Sequence, residues 1–278
     1  MTLLIFLLAV GVYKLLGWHF KPSHDQWFFT FGDWLGQWLQ DLPRLSMLLV
    51  LLIPLCPVAA LLAVTSDWLF GLVGLLLQAI ILVYALARAN LFEQLQTYLG
   101  YWRSGNQQSA FHHAEKIFSE NQAAADDSSS LHAQVCRGFL KQWFEQVFVI
   151  VFWFLLAGPL AALFVRLLSL YEQHSKVIDA SQLLYVLEWL PLRLLGLTFA
   201  IVGNFALGFK AWLAVFSDWA KPSCAVLFDW CLASIGINEQ ALVDSSDEQQ
   251  AEHLEAVQSL LVRSLVVWMI VVALLTIF

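Results

Sequence analysis

The sequence predicts an all-α, polytopic membrane protein: a helical bundle of five or six spans with a helical subdomain inserted on the cytoplasmic side. Three observations predict it. Of the 278 residues, 60% are apolar and only 13% charged, with mean hydropathy +0.72, more apolar surface than one soluble core of this length can hide. Long apolar runs at residues 45–64, 68–87, 147–170, 194–216 and 260–278 approach the roughly 20 residues that cross a hydrocarbon core of about 30 Å. Between them, the connection from 88 to 146 is polar enough for water and carries Arg88, Arg103, Lys116, Arg137 and Lys141, which places it in the cytoplasm by the positive-inside tendency.

The elements follow in order. Residues 1–18 form a sixth, shorter run that carries Lys14; without a basic segment before it or a small-residue cleavage pattern after it, it is expected to stay as an anchor. Trp27, Phe31, Trp34, Leu35, Trp38 and Leu42 share one stripe at helical spacing, with Asp25, Asp33 and Asp41 away from it. That pattern suits a helix lying among lipid headgroups, where tryptophan is favoured, or one packed on neighbouring helices. Pro54 and Pro57 should bend the next run, and Thr65, Ser66 and Asp67 should turn the chain into a membrane hairpin.

In the cytoplasmic connection, two helices are expected on either side of Ser104-Gly105-Asn106, then a low-complexity link over 122–130. A third helix, 131–146, runs straight into the fourth membrane run. The resulting division is 1–87 as N-terminal membrane helices, 88–146 as the cytoplasmic subdomain, 147–216 as membrane helices, 217–259 as an acidic polar segment and 260–278 as the last span.

The charge pattern narrows the function classes. Formal net charge is -7, and between 217 and 259 eight acids face one basic residue, Lys221. Such a segment repels phosphates, so nucleic acid is not an expected partner. Cys56, Cys136, Cys224 and Cys231 show neither CxxC spacing nor a disulfide-dense pattern, and the seven histidines are scattered, so no metal site is predicted. Phosphate-binding, serine-hydrolase, zinc-protease and kinase motifs are all missing.

The most informative stretch is residues 184–204, LYVLEWLPLRLLGLTFAIVGN, where an acid, a proline and an arginine sit in membrane-like sequence. Each charge would cost roughly 2.5 to 3.5 kcal/mol at mid-bilayer, so Glu188 and Arg193 must lie at an interface, pair, or face protein or ligand. Pro191 suits the first turn of an interfacial helix, with Arg193 reaching for headgroups. Arg193 and Asn204, eleven residues apart, share a helix face if one helix carries both. Gly196 and Gly203 thin one side of that helix and invite close approach of another. Arg166, with Glu172 six residues on, reads first as a structural ion pair.

Four blocks taken together carry a family resemblance: the opening MTLLIFLLAVGVYKLL, the helix pair YLGYWRSGNQQSAFHHAEKIF, the membrane entry VFWFLLAGPLAALFVRLLSL, and YVLEWLPLRLLGLTFAIVGNF. In this order they resemble the AmpE family, membrane proteins tied to β-lactamase induction, and more distantly the CobD/CbiB adenosylcobinamide-phosphate synthases. The most specific part is the W-L-P-x-R-L signature at Trp189, Leu190, Pro191, Arg193 and Leu194.

Compared with the synthases, the recurring acidic and amide positions are mostly replaced. Their arginine-aspartate pair falls on Glu120 and Asn121, their glutamate-rich helix on Arg137, Lys141 and Gln142 with an acid kept at Glu145, and their anchor glutamate on Tyr13. Their asparagine-threonine-leucine-aspartate stretch falls on Ser169, Leu170, Tyr171 and Glu172. Basic Arg137 and Lys141 in place of carboxylates would repel Mg²⁺.

The resemblance therefore implies a regulatory protein of the bacterial inner membrane, acting with cell-wall recycling, more than an enzyme, and it implies no cofactor. Its expected ligand is anionic, a cell-wall fragment or a nucleotide. Arg193, Trp189 and Asn204 would line the site beside Glu188, with Arg103 and Lys116 at its mouth. Two alternatives stand beside this reading: a divergent condensing synthase using Glu145, Glu172 and Glu188 with Mg²⁺ and a nucleotide, and a transporter of small cell-wall fragments.

Overall fold

The computed structural model describes residues 25–39, 42–65, 72–86, 91–118, 128–175, 178–216 and 221–277, and every regular element among them is helical. The expected N-terminal anchor at 1–18, the turn at Ser66 and Asp67 and most of the link at 122–130 lie outside these residues. Five segments are long and apolar enough to cross a bilayer: Arg44–Thr65, the stretch beginning at Leu72, Leu131–Ala157, Ile178–Val202 and Asp247–Leu274.

Two of these differ from the predicted runs, for local reasons. Residues 147–170 are not one span, because Gly158 adopts φ +84 and Pro159 starts a new helix. A left-handed residue followed by a proline ends a helix even where hydropathy is unbroken. Residues 194–216 are likewise divided: one helix ends at Val202, and Asn204 caps the next. By contrast Pro54 and Pro57 lie inside a helix that runs from Pro43 to Thr65.

The chain forms two compact units. The first comprises the described parts of 1–88, 146–188 and 272–278. It holds α1 (Gln26–Trp38), α2 (Pro43–Thr65), α3 (Leu72–Leu86), most of a π-helical turn (Phe144–Phe148), α7 (Val149–Ala157) and α8 (Pro159–Ser175). Helix α8 is its axis. Nearly every residue from Ala162 to Tyr171 is buried, so neighbours surround the helix, and α1, α2, α3 and α7 all pack on it.

Polar groups inside this unit are paired. Arg166 Nη2 donates to Asp25 Oδ2 at 3.0 Å with both side chains buried, and the Tyr84 hydroxyl donates to Asp25 Oδ1 at 3.2 Å. This bears out Arg166 as an ion-pair residue but changes its partner from Glu172 to Asp25, 141 positions away. At the end of α8, His174 meets Asp33 at 2.8 Å and stacks on Phe29. Asp25 to Asp33 and Arg166 to His174 are both steps of eight residues, so α1 runs alongside α8 in the same direction.

That arrangement sets the buried face of α1. Its buried side chains are Asp25, Phe28 and Leu35, while Trp34 and Trp38 remain 55% and 76% exposed. The opposite face packs on α8, and the exposed tryptophans leave an outward stripe of the expected kind.

The second unit comprises the described parts of 89–145 and 189–271. It contains α4 (Leu91–Arg103), α5 (Gln107–Phe118), α6 (Ser128–Trp143), the later part of α9 (Ile178–Val202), α10 (Phe205–Val215), α11 (Ser223–Ile235), α12 (Glu239–Asp244) and most of α13 (Asp247–Ile277). The break between α4 and α5 falls at Ser104 and Gly105, as predicted, with Gly105 at φ +71. Leu95, Tyr98, Leu99, Val135, Phe139, Leu254 and Val257 are nearly inaccessible within this unit. His132 is fully buried there between the Tyr98 hydroxyl, 3.2 Å from Nδ1, and the Gln250 carbonyl. A carbonyl can only accept, so Nε2 carries the proton and a neutral ring takes Tyr98 as donor.

A buried arginine among three indoles

The candidate site is built where α9, α10 and α11 close on one another. Three glycines permit the approach. A Cβ on Gly196 would fall 2.2 Å from the Trp230 ring and 2.9 Å from Trp212, one on Gly203 would fall 2.4 Å from the Ser234 carbonyl, and one on Gly208 would fall 2.6 Å from the Ser234 hydroxyl. The predicted thinning at Gly196 and Gly203 is therefore used. Gly208 faces Ala200 and Trp212 faces Gly196, so α10 folds back antiparallel to α9; Trp230 and Ser234 meet α9 in the forward sense.

Pro191 lies inside α9, which continues unbroken from Ile178 to Val202. It has no N–H for the carbonyl four residues back, that of Leu187. The Trp153 indole supplies the missing donor at 3.1 Å, which explains how the proline is accommodated without ending the helix. The expected interfacial helix start at Pro191 is therefore replaced by a mid-helix proline.

Arg193 is 3% exposed, and its guanidinium lies 5.5 Å from the Trp189 ring centre and 5.2 Å from that of Trp230. The Trp212 indole donates to the Arg193 carbonyl at 2.8 Å, and the Trp230 indole donates to Ala211 O at 3.1 Å. Trp189 and Trp230 thus present their rings to the guanidinium, while Trp212 and Trp230 spend their N–H groups on backbone. A guanidinium cannot be neutralised in a protein, so this position holds a permanent positive charge out of water. Desolvated cation–π contacts contribute about 2 kcal/mol or more. Glu188 is buried on the same helix, and Trp189 is half-buried.

The other predicted site residues do not all join this cluster. Asn204 does not share a helix face with Arg193, because α9 ends before it. Its side chain accepts from Leu207 N at 3.2 Å and its own N–H donates to Ser234 O, so it caps α10. Arg103 pairs with Glu255 at 3.0 Å and approaches Glu248 on α13, and Lys116 is exposed on α5.

Arg137 and Lys141 are each paired with an acid. Arg137 bonds Glu239 and lies over the Phe228 ring, and Lys141 is 3.7 Å from Glu145. The expected charge inversion is thus compensated within the unit. Among the described residues no three His, Cys, Asp or Glu side chains come together as metal ligands. Burial pushes the Cys231 thiol well above its ordinary range, leaving it a core side chain and not a nucleophile.

The family model for the regulatory signalling modulator protein AmpE matches residues 1–278, the whole length given. The chain belongs to the AmpE family. No curated protein and no solved structure matches it.

In this AmpE-family chain the W-L-P-x-R-L signature turns out to be the floor of the indole cluster, since Trp189, Pro191 and Arg193 all lie on α9. Sequence reasoning missed Trp153, Trp212 and Trp230, whose indoles satisfy the α9 backbone or face its arginine. Their signal was weak, because 13 tryptophans are spread along the chain and nothing local marks which three meet α9.

Proposed function

We propose that this AmpE-family chain is a multi-pass protein of the bacterial inner membrane that modulates β-lactamase induction in connection with cell-wall recycling, by binding an anionic ligand at Arg193. Family membership supports the regulatory part. The observation that carries the ligand part is the desolvated Arg193 guanidinium, held between Trp189 and Trp230. A fixed charge in low dielectric attracts an opposite charge far more strongly than one in water.

The ligand reaches Arg193 when the half-buried Trp189 ring swings aside, exchanging a cation–π contact for a charge-assisted hydrogen bond. The basic residues Arg103, Lys116, Arg137 and Lys141 support a cytoplasmic side for the 88–146 connection, where cell-wall fragments return during recycling.

The test is complementation of an inducible strain that lacks its own copy. Arg193→Leu should accumulate in the membrane at the wild-type level yet leave induction as in the strain without the protein, and Arg193→Lys should recover part of the response. Wild-type induction with Arg193→Leu would remove the arginine from the mechanism.

A further inference from the structure

The outer face of helix α10, Phe205–Val215, is a surface the ligand reading does not use. Eleven residues make about 16 Å of helix, half of a hydrocarbon core of about 30 Å, so α10 cannot cross. It is nonetheless apolar on the side turned away from α9 and α11. Phe205, Leu207 and Leu213 are 57%, 48% and 61% exposed, and Phe205, Phe209, Trp212 and Phe216 stack in series along one edge. Gly208 is its one buried residue. Its only charged residue is Lys210, exposed, with no acid on the helix.

We propose that α10 is a lipid seat: a half-length helix embedded in one leaflet, whose Leu207 and Leu213 meet acyl chains while Lys210 reaches up to the phosphate of an acidic phospholipid. Three features point to lipid as the occupant. The exposed face is too apolar for water, and the helix is too short to serve as a span. Its lone cation has no carboxylate partner on the helix and a stem long enough to snorkel to headgroups. The closure of α9, α10 and α11 through Gly196, Gly203 and Gly208 holds this face rigidly outward.

The test uses the full chain in vesicles of phosphatidylethanolamine and phosphatidylglycerol. Cys56 and Cys224 are replaced by alanine, the buried Cys136 and Cys231 are kept, and a nitroxide is attached at Leu207→Cys or Leu213→Cys. Both labels should collide preferentially with oxygen over a water-soluble nickel chelate, at depths short of the bilayer midplane. Separately, Lys210→Gln should lower the phosphatidylglycerol retained by the detergent-extracted protein about fivefold, with no change for phosphatidylethanolamine.

Preference for the nickel chelate at either site, shielding from both reagents by another protein chain, depths on opposite sides of the midplane, or unchanged phosphatidylglycerol retention would each overturn the proposal. None of these outcomes bears on Arg193, so failure here and failure of the ligand reading are separable.

Discussion

At Gly196 one methyl group decides whether three helices close. Alanine there would place Cβ 2.2 Å from the Trp230 ring, with Trp212 crowding the same methyl at 2.9 Å. Gly196→Ala should destabilise the detergent-solubilised protein by roughly 1–3 kcal/mol, as overpacking does. Gly36→Ala is the contrast, because nothing lies within 4 Å of its new Cβ; relief from glycine's backbone entropy should leave stability unchanged or raised by roughly 0.5–1 kcal/mol. Thermal unfolding followed by circular dichroism checks both, and equal melting temperatures for the two variants would contradict the packing described.

A second residue-scale prediction concerns the buried pair. Asp25→Leu deprives Arg166 of its carboxylate and should cost roughly 3–5 kcal/mol, whereas Asp25→Leu combined with Arg166→Met should recover most of that loss. Strictly additive losses in this double-mutant cycle would show that the two side chains are not coupled.

At the scale of elements, the boundaries inside apolar sequence matter most. Asn204 is spent as the cap of α10, so Asn204→Ala should cost about 1 kcal/mol while Asn204→Asp should keep both stability and induction. A response lost with the aspartate, at unchanged stability, would mean that this amide touches the ligand after all. The same residue shows where sequence stops being legible. Extending one helical period from Arg193 to Asn204 assumed a continuous helix, and Gly203-Asn204 is too mild a breaker to be seen in an apolar run.

Gly158-Pro159, by contrast, was a readable signal that hydropathy outweighed. The break at Ser104-Gly105 and the close approach at Gly196 and Gly203 were legible because they depend on local chemistry. The Asp25–Arg166 pair and the Trp230 contact were not, because each joins residues far apart in the chain.

For the whole molecule, composition and long apolar runs together pointed to the class, and among the described residues five helices are long and apolar enough to cross a bilayer. The family match covers residues 1–278 and so runs through both compact units. What composition could not supply is the position of the desolvated charge, which depends on three indoles from separate elements meeting at α9.

The central claim is that Arg193 is where an anion is read. Titration of a soluble muropeptide into the purified, detergent-solubilised protein, followed by tryptophan fluorescence, tests it most directly, because Trp189 and Trp230 flank the guanidinium. The account predicts a saturable fluorescence change in the wild type that is abolished in Arg193→Leu at unchanged helicity and melting temperature. An identical titration curve for the folded variant, or no binding by the wild type, would contradict it.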